Sequence, residues 1–284
     1  MTGADPDELR AEILGRWERA ATGWGKHAER MREFGMPVSA WMLDEAHLQP
    51  GQRVLELAAG PGDTGFLAAE LIRPGGTLVS TDAAEPMLDV ARARANQMGI
   101  DNVEFRRMEL EWIDLDTATV DVVLCKWGLM FSIDPEAALR EARRVLRPGG
   151  RIALAAWDGP QVNPWATIPT RALIDLGHTE PPDPDAPGMF IVAAPGRLRE
   201  LLEAAGFVDV LVESVDTSRA FAGVAEYLAE FHDTSSVFAE VYDALSEKQR
   251  EAVGRKMAEL SEGFVGPDGS VTLPGRSLVA AADA

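Results

Sequence analysis

A Gly-x-Gly-x-x-Gly run, Gly60 to Gly65, stands between a short apolar segment, Arg53 to Leu57, and a helical pattern through Phe66-Leu67-Ala68-Ala69. Glycines at such a junction permit a tight turn and let a ligand approach backbone N–H groups at a helix N-terminus. A strand that enters a helix this way needs parallel neighbours, and the sequence supplies them. Thr77 to Thr81 reads as a second strand ending in Asp82, with a helix from Pro86 to Met98. Val103 to Phe105 and Val120 to Leu124 read as third and fourth strands, and Pro135 to Leu146 as a helix. The turn Pro148-Gly149-Gly150 leads into a fifth strand, Arg151 to Trp157. Strands alternating with helices of about a dozen residues predict an α/β fold with a doubly wound, mostly parallel sheet.

The flanks are less regular. Residues 1–50 read as an N-terminal helical segment acting as a lid or cap, with Leu9, Ile13, Leu14, Trp17, Met31 and Phe34 at helical spacing. Gly23 and Gly25 around Trp24 predict a break into two helices, and a third helix is expected from about Ser39 to Ala46. Residues 51–284 form the expected main domain. Eight prolines between positions 160 and 195 predict an irregular insertion at about 159–195. A helix from Leu198 to Ala205, a sixth strand from Phe207 to Val215 and two helical stretches, about Val224–Phe231 and Val237–Leu260, follow. Ser277 to Ala282 completes seven strands, antiparallel to the sixth. The segments 159–195 and 223–264 are expected to cap the site.

Asp82, at the end of the second strand, can accept hydrogen bonds from ribose hydroxyls, so loop and acid together point to an adenosine-containing ligand. A mere strand-to-helix turn fits this context less well. NAD and S-adenosylmethionine both satisfy it, and charge separates them. Glu56 and Asp63 beside a pyrophosphate would cost on the order of a kcal/mol each if partly desolvated. Beside an ammonium and a sulfonium they are favourable. Pro61 also removes a backbone donor that a phosphate would use. The balance favours S-adenosylmethionine.

The chain carries 27 Lys and Arg against 46 Asp and Glu, a net charge of −19, which opposes nucleic-acid binding. Its single cysteine, Cys125, excludes an internal disulfide and a multi-cysteine zinc site, and no His/Asp/Glu spacing suggests another metal. With an acidic start at Met1 to Asp5 and no apolar run near ~20 residues, the chain reads as soluble and cytoplasmic. Monomer and homodimer both stay open.

Taken in order, five motifs resemble one family. They are Val54-Leu55-Glu56-Leu57-Ala58-Ala59-Gly60-Pro61-Gly62, Asp82-Ala83-Ala84-Glu85-Pro86-Met87-Leu88, Met108-Glu109-Leu110-Glu111, Asp121-Val122-Val123-Leu124 and Arg143-Arg144-Val145-Leu146-Arg147-Pro148-Gly149-Gly150. The chain resembles the class I S-adenosylmethionine-dependent methyltransferases, in particular the small-molecule branch that includes the ubiquinone/menaquinone-biosynthesis C-methyltransferases. The likeness covers about residues 35–157. It implies that Glu56, Ala58, Gly60 and Gly62 lie at the methionine end, Glu56 acting through the ammonium. Asp82 would take the ribose hydroxyls, and Ala83 and Met87 would pack on the adenine. Glu109 would meet the adenine amino group, the Leu110 N–H a ring nitrogen, and Lys126 and Trp127 would flank the sulfonium and the substrate mouth. Ala58 replaces the first glycine of the family pattern, and Glu109 replaces an Asp.

Methyl transfer is a direct displacement in which alignment supplies much of the catalysis, and an oxygen or carbon nucleophile can also use a general base. His232, beside Asp233 in the second insertion, is the candidate base, ahead of His178 and His27. Trp24, Met130 and Phe131 are candidate substrate contacts, while Trp17, Trp41 and Trp112 read as packing. Cys125-Lys126-Trp127-Gly128 after the fourth strand lacks the Asn/Asp-Pro-Pro-Tyr/Phe motif of amide and adenine N-methyltransferases. The expected reaction is methyl transfer to an oxygen or carbon of a small, fairly apolar molecule, with S-adenosylhomocysteine as product. The alternatives are a NAD-dependent oxidoreductase and a non-catalytic methyltransferase-like binding or regulatory protein.

Overall fold

A computed structural model describes residues 5–184 and 186–284. The start of the expected N-terminal segment, Met1 to Ala4, and Asp185 of the proline-rich insertion lie outside the described residues. Strands β1 (Arg53–Glu56), β2 (Thr77–Asp82), β3 (Val103–Arg107), β4 (Val120–Lys126), β5 (Leu146–Trp157), β6 (Val208–Phe221) and β7 (Val271–Asp283) form one sheet in the order β3-β2-β1-β4-β5-β7-β6. The first five pair in parallel, and β7 runs antiparallel between β5 and β6. This is the predicted seven-stranded, mostly parallel sheet.

Alternation along the inner strands sorts side chains into two apolar layers. Val54, Leu78, Val122 and Leu124 face α2 (Ala28–Glu45), α3 (Asp63–Leu71) and α4 (Glu85–Met98) through Met42, Phe66 and Ala91. Leu55, Val79 and Val123 face the opposite side. There they meet the layer built by α5 (Pro135–Val145), α6 (Pro164–Asp175) and α7 (Arg197–Ala204). The remaining helices are α1 (Pro6–Lys26), α8 (Val224–Thr234), α9 (Ser236–Asp243) and α10 (Glu247–Leu260). No helix among the described residues is long and apolar enough to cross a membrane.

Four expectations are corrected. The helix does not break at Gly23 and Gly25: α1 runs through both, and the chain turns at His27. A Cβ on Gly23 would lie 1.7 Å from the Asp233 carbonyl oxygen, so this glycine serves close packing of α1 on α8. The expected third helix is the second half of α2, which continues through Pro37.

The proline-rich stretch is not irregular throughout, since it holds α6, with Pro164 in the first turn and Pro169 inside. Pro169 has no N–H for the Trp165 carbonyl one turn earlier. The Tyr227 hydroxyl donates to that carbonyl at 2.6 Å instead. Finally, the stretch expected from Val237 to Leu260 is two helices, the second opened by a capping box at Ser246 and Gln249.

Candidate active site

The carboxyl ends of β1, β2 and β4 open into one cavity, as the switch in strand order at β1 leads one to expect. The loop after β1 forms its floor. Gly62 caps α3 in the left-handed region at φ 89°, and Gly60 sits at φ 53°. Ala58 adopts φ 49°, a conformation that costs a non-glycine residue energy. Its methyl group has room because the residue opposite is Gly128, where a Cβ would come within 2.4 Å of it. The glycine missing from the first position of the motif is in effect supplied across the loop.

Glu56 lies under this floor, not on the cavity wall. One carboxylate oxygen accepts the Gly65 N–H at 2.7 Å and the other the Ser80 hydroxyl at 3.2 Å. A Cβ on Gly65 would lie 2.0 Å from the carboxylate, which is why a glycine stands there. Burial pushes Glu56 up to about 7, against the stabilising Gly65 N–H. Asp63 does border the cavity, but Arg94 pairs with it at 2.7 Å and also donates to the Pro61 carbonyl at 2.6 Å. The two carboxylates of the charge argument are therefore engaged within the protein.

Asp82 faces the cavity. One oxygen accepts the Gly60 N–H and the other the Ala84 N–H, both at 2.9 Å. Each keeps a lone pair for a further donor. Burial raises its pKa against these N–H groups. Ala83, Met87, Met108, Glu109 and Leu110 continue the wall beyond Asp82. Glu109 is paired with Arg10 of α1 at 3.2 Å.

At the other end, Lys126 and Trp127 border the cavity at the end of β4. Trp127 has φ 61°, an outlier for a bulky residue. It is held by its own N–H to the Ala155 carbonyl at 2.8 Å, its indole N–H to Ser277 at 3.0 Å, and stacking on Trp157 at 4.2 Å. Cys125 beside it is buried, and its thiol is pushed up to about 12 by that burial.

The roof is α1. Arg10, Ile13, Leu14, Trp17 and Trp24 face the cavity, joined by Met31 of α2. Trp17 lies edge-on to Phe131 at 4.9 Å and to Trp24 at 5.9 Å. Among the described residues, none from 159–195 or 223–264 lines the cavity. The 223–264 helices instead hold the roof: Trp24 donates to the Thr234 carbonyl at 3.1 Å, and His27 and Lys26 both reach Asp233 at 2.7 Å. Burial would raise Asp233, but these two partners keep it below its ordinary value.

Of the residues expected at the site, Ala58, Gly60, Asp82, Ala83, Met87, Glu109, Leu110, Lys126, Trp127, Trp24 and Phe131 border the cavity. Glu56 and Gly62 do not, being respectively beneath the loop and in the helix cap. Met130 is 1% exposed and packs in the core on the far side of its turn. His232 is away from the wall, bonded to Asp243 at 3.0 Å, and none of the four histidines lines the cavity. Arg10, Ile13, Leu14, Trp17, Met31 and Glu111 are cavity residues that the sequence reading missed. Positions 10, 13, 14, 17 and 24 share one helix face, but the sequence does not reveal whether such a face covers a core or a cleft.

The comparisons fit this geometry. A methyltransferase domain family matches residues 48–173. The chain is 34% identical over 187 residues to the nocamycin O-methyltransferase of Saccharothrix syringae, spanning 63% of this chain and 67% of that protein. It is 30% identical over 192 residues to the ubiquinone/menaquinone biosynthesis C-methyltransferase UbiE of Escherichia coli O1:K1 / APEC, spanning 64% of this chain and 74% of that one. The chain belongs to the class I S-adenosylmethionine-dependent methyltransferases. The fold agrees: the YcgJ protein of Bacillus subtilis superposes with a TM-score of 0.57 at 16% identity, over 86% of this methyltransferase and 97% of that chain.

S-adenosylmethionine fits the residues of this methyltransferase on three counts. A Cβ on Gly60 would meet nothing within 4 Å, so the space above the loop backbone is open. Asp82 offers two unused lone pairs to a diol, and Ala83 and Met87 give an apolar surface beside it.

Proposed function

We propose that this methyltransferase transfers the methyl group of S-adenosylmethionine to an oxygen or carbon of a small, fairly apolar molecule. The observation that carries the reading is a cavity with two unlike ends. A hydrogen-bonding end at Gly60 and Asp82 suits the nucleoside, while an apolar end under α1, walled by Ile13, Leu14, Trp17, Trp24 and Phe131, suits the acceptor. The names of the two relatives, one an O- and one a C-methyltransferase, support these acceptor atoms. With one cysteine in the chain, a reducing compartment such as the cytoplasm suits it.

When bound, the cofactor supplies an electrophilic methyl group on a sulfonium. The protein's part is alignment and exclusion of water. Asp82 and the loop fix the nucleoside, the αL backbone of Ala58 and Trp127 shapes the middle of the cavity, and the Trp17–Trp24–Phe131 rings hold a flat acceptor against it. No histidine reaches the cavity, so a base role for His232 would require α8 to move. Alignment is the part of the mechanism these side chains support.

Incubation with S-adenosylmethionine and a panel of acceptors tests the reading, with methylated products followed by mass spectrometry. Hydroxylated aromatic and other apolar compounds are expected to be methylated and phosphorylated or cationic compounds to be refused. Methylation confined to proteins or nucleic acids would contradict it.

A further inference from the structure

The other cavity-facing or buried cations of this site have carboxylate partners: Arg94 has Asp63 and Arg10 has Glu109. Lys126 does not. Among the described residues no carboxylate lies within 4 Å of its Nζ, although the side chain borders the cavity. Nζ donates to the Ser39 hydroxyl at 3.2 Å, and Ser39 shares a hydrogen bond of 2.8 Å with Thr64 in the first turn of α3. The ammonium also sits 4.9 Å from the centre of the Trp127 ring. Gly35 makes room for it, since a Cβ there would stand 3.0 Å from Nζ. An ammonium has three donors, and the protein takes up one with a hydrogen bond and covers another face with a ring.

Burial lowers the pKa of Lys126, while the charges of Asp63 and Glu56 favour its ammonium form. Asp63 is neutralised by Arg94, and burial holds Glu56 near 7, so its charge is partly quenched at neutral pH. The first turn of α3 adds the positive end of a helix dipole. Lys126 ends β4 and Asp82 ends β2, on opposite sides of β1. At ~4.8 Å per strand these ends stand about 10 Å apart. A ligand with its diol at Asp82 and a tail along the glycine loop therefore ends beside Lys126.

We propose that Lys126, braced by Ser39 and Thr64, is the counter-charge for the carboxylate of the cofactor's methionine tail. This rests on the reading that the cavity takes S-adenosylmethionine. It assigns the cation to a part of the ligand remote from the transferred methyl group. Losing it is therefore expected to weaken binding of any ligand with the amino-acid tail and to spare ligands without it.

The test compares S-adenosylhomocysteine with 5′-methylthioadenosine, which keeps the nucleoside and sulfur but lacks the amino-acid tail. Both are titrated calorimetrically into the wild-type protein, Lys126→Met and Lys126→Arg. Lys126→Met is expected to weaken S-adenosylhomocysteine roughly 10- to 100-fold, the range of a charge-assisted hydrogen bond. It should leave 5′-methylthioadenosine within about twofold of wild type, which also shows that the variant is folded, and Lys126→Arg should recover much of the loss. Equal weakening of both ligands, or no change in either, would overturn the assignment. If the wild-type protein binds neither ligand, the cofactor reading fails first and takes this assignment with it.

Discussion

Arg94 and Asp63 form an ion pair at 2.7 Å that closes the back of the glycine loop, and the same guanidinium donates to the Pro61 carbonyl. Both side chains are nearly buried, at 10% and 7% exposure. Removing one partner leaves the other charge uncompensated, which costs about 3–5 kcal/mol in such pairs. Arg94→Met should therefore lower unfolding stability by about that amount in a denaturant titration. Adding Asp63→Asn should restore part of it, because the stranded charge is then gone. A single variant as stable as wild type would show that the pair does not brace the loop.

Asp82 borders the cavity with a lone pair left on each carboxylate oxygen. Asp82→Ala is expected to weaken S-adenosylhomocysteine by roughly 10- to 100-fold, the worth of hydrogen bonds to a charged acceptor. Asp82→Asn, which keeps one acceptor oxygen, should fall between. Calorimetry reads both. Unchanged affinity in the alanine variant would remove Asp82 from the nucleoside site.

Glu56 has its carboxyl raised to about 7 from an ordinary 4.5, chiefly by burial. The folded state thus holds this proton over a range in which the unfolded chain has released it. Its contribution to stability is full below about 4.5 and is lost as pH rises through about 7. Glu56→Gln keeps an acceptor for the Gly65 N–H and does not titrate. Wild type should lose on the order of 3 kcal/mol relative to this variant between pH 4.5 and 7.5, read from denaturant unfolding at several pH values. Parallel pH profiles for the two proteins would contradict the buried-proton account.

Much of this was legible in the sequence and some was not, for identifiable physical reasons. The strand–loop–helix order, Asp82 at a strand end and the antiparallel last strand follow from periodicity and punctuation, which are local. The continuity of α1 through Gly23 is not local, because that glycine answers to the Asp233 backbone far along the chain. The choice of cofactor from Glu56 and Asp63 led toward the family to which the chain belongs. Its premise of free carboxylates was incomplete, since Arg94 lies on a different helix. The sequence places His232 beside Asp233, but α8 turns it to Asp243 and away from the cavity.

Tyr227 and Pro169 offer a direct test of one such long-range dependence. Tyr227→Phe should leave the buried Trp165 carbonyl without its donor and cost about 1–3 kcal/mol. In a Pro169→Ala background, where an N–H can serve that carbonyl, the same substitution should cost much less. Equal costs in both backgrounds, by denaturant unfolding, would mean that the hydroxyl does not substitute for the missing helix bond.

The roof of the cavity is α1, held by α8 through Trp24 and the His27–Asp233 contact. Cofactor binding should therefore slow hydrogen exchange most in the peptides covering residues 10–24, and much less in 186–195. Asp233→Ala should speed exchange in α1 of the free protein. Protection confined to the proline-rich insertion would return the lid to that segment.

The proposed function requires that this cavity take S-adenosylmethionine and present its methyl group to an apolar acceptor. Parallel calorimetric titration with S-adenosylmethionine, S-adenosylhomocysteine and NAD tests it most directly. Micromolar binding of both adenosyl-sulfur ligands, with NAD silent, is the predicted result. Binding of NAD alone, or of none of the three, would contradict the account.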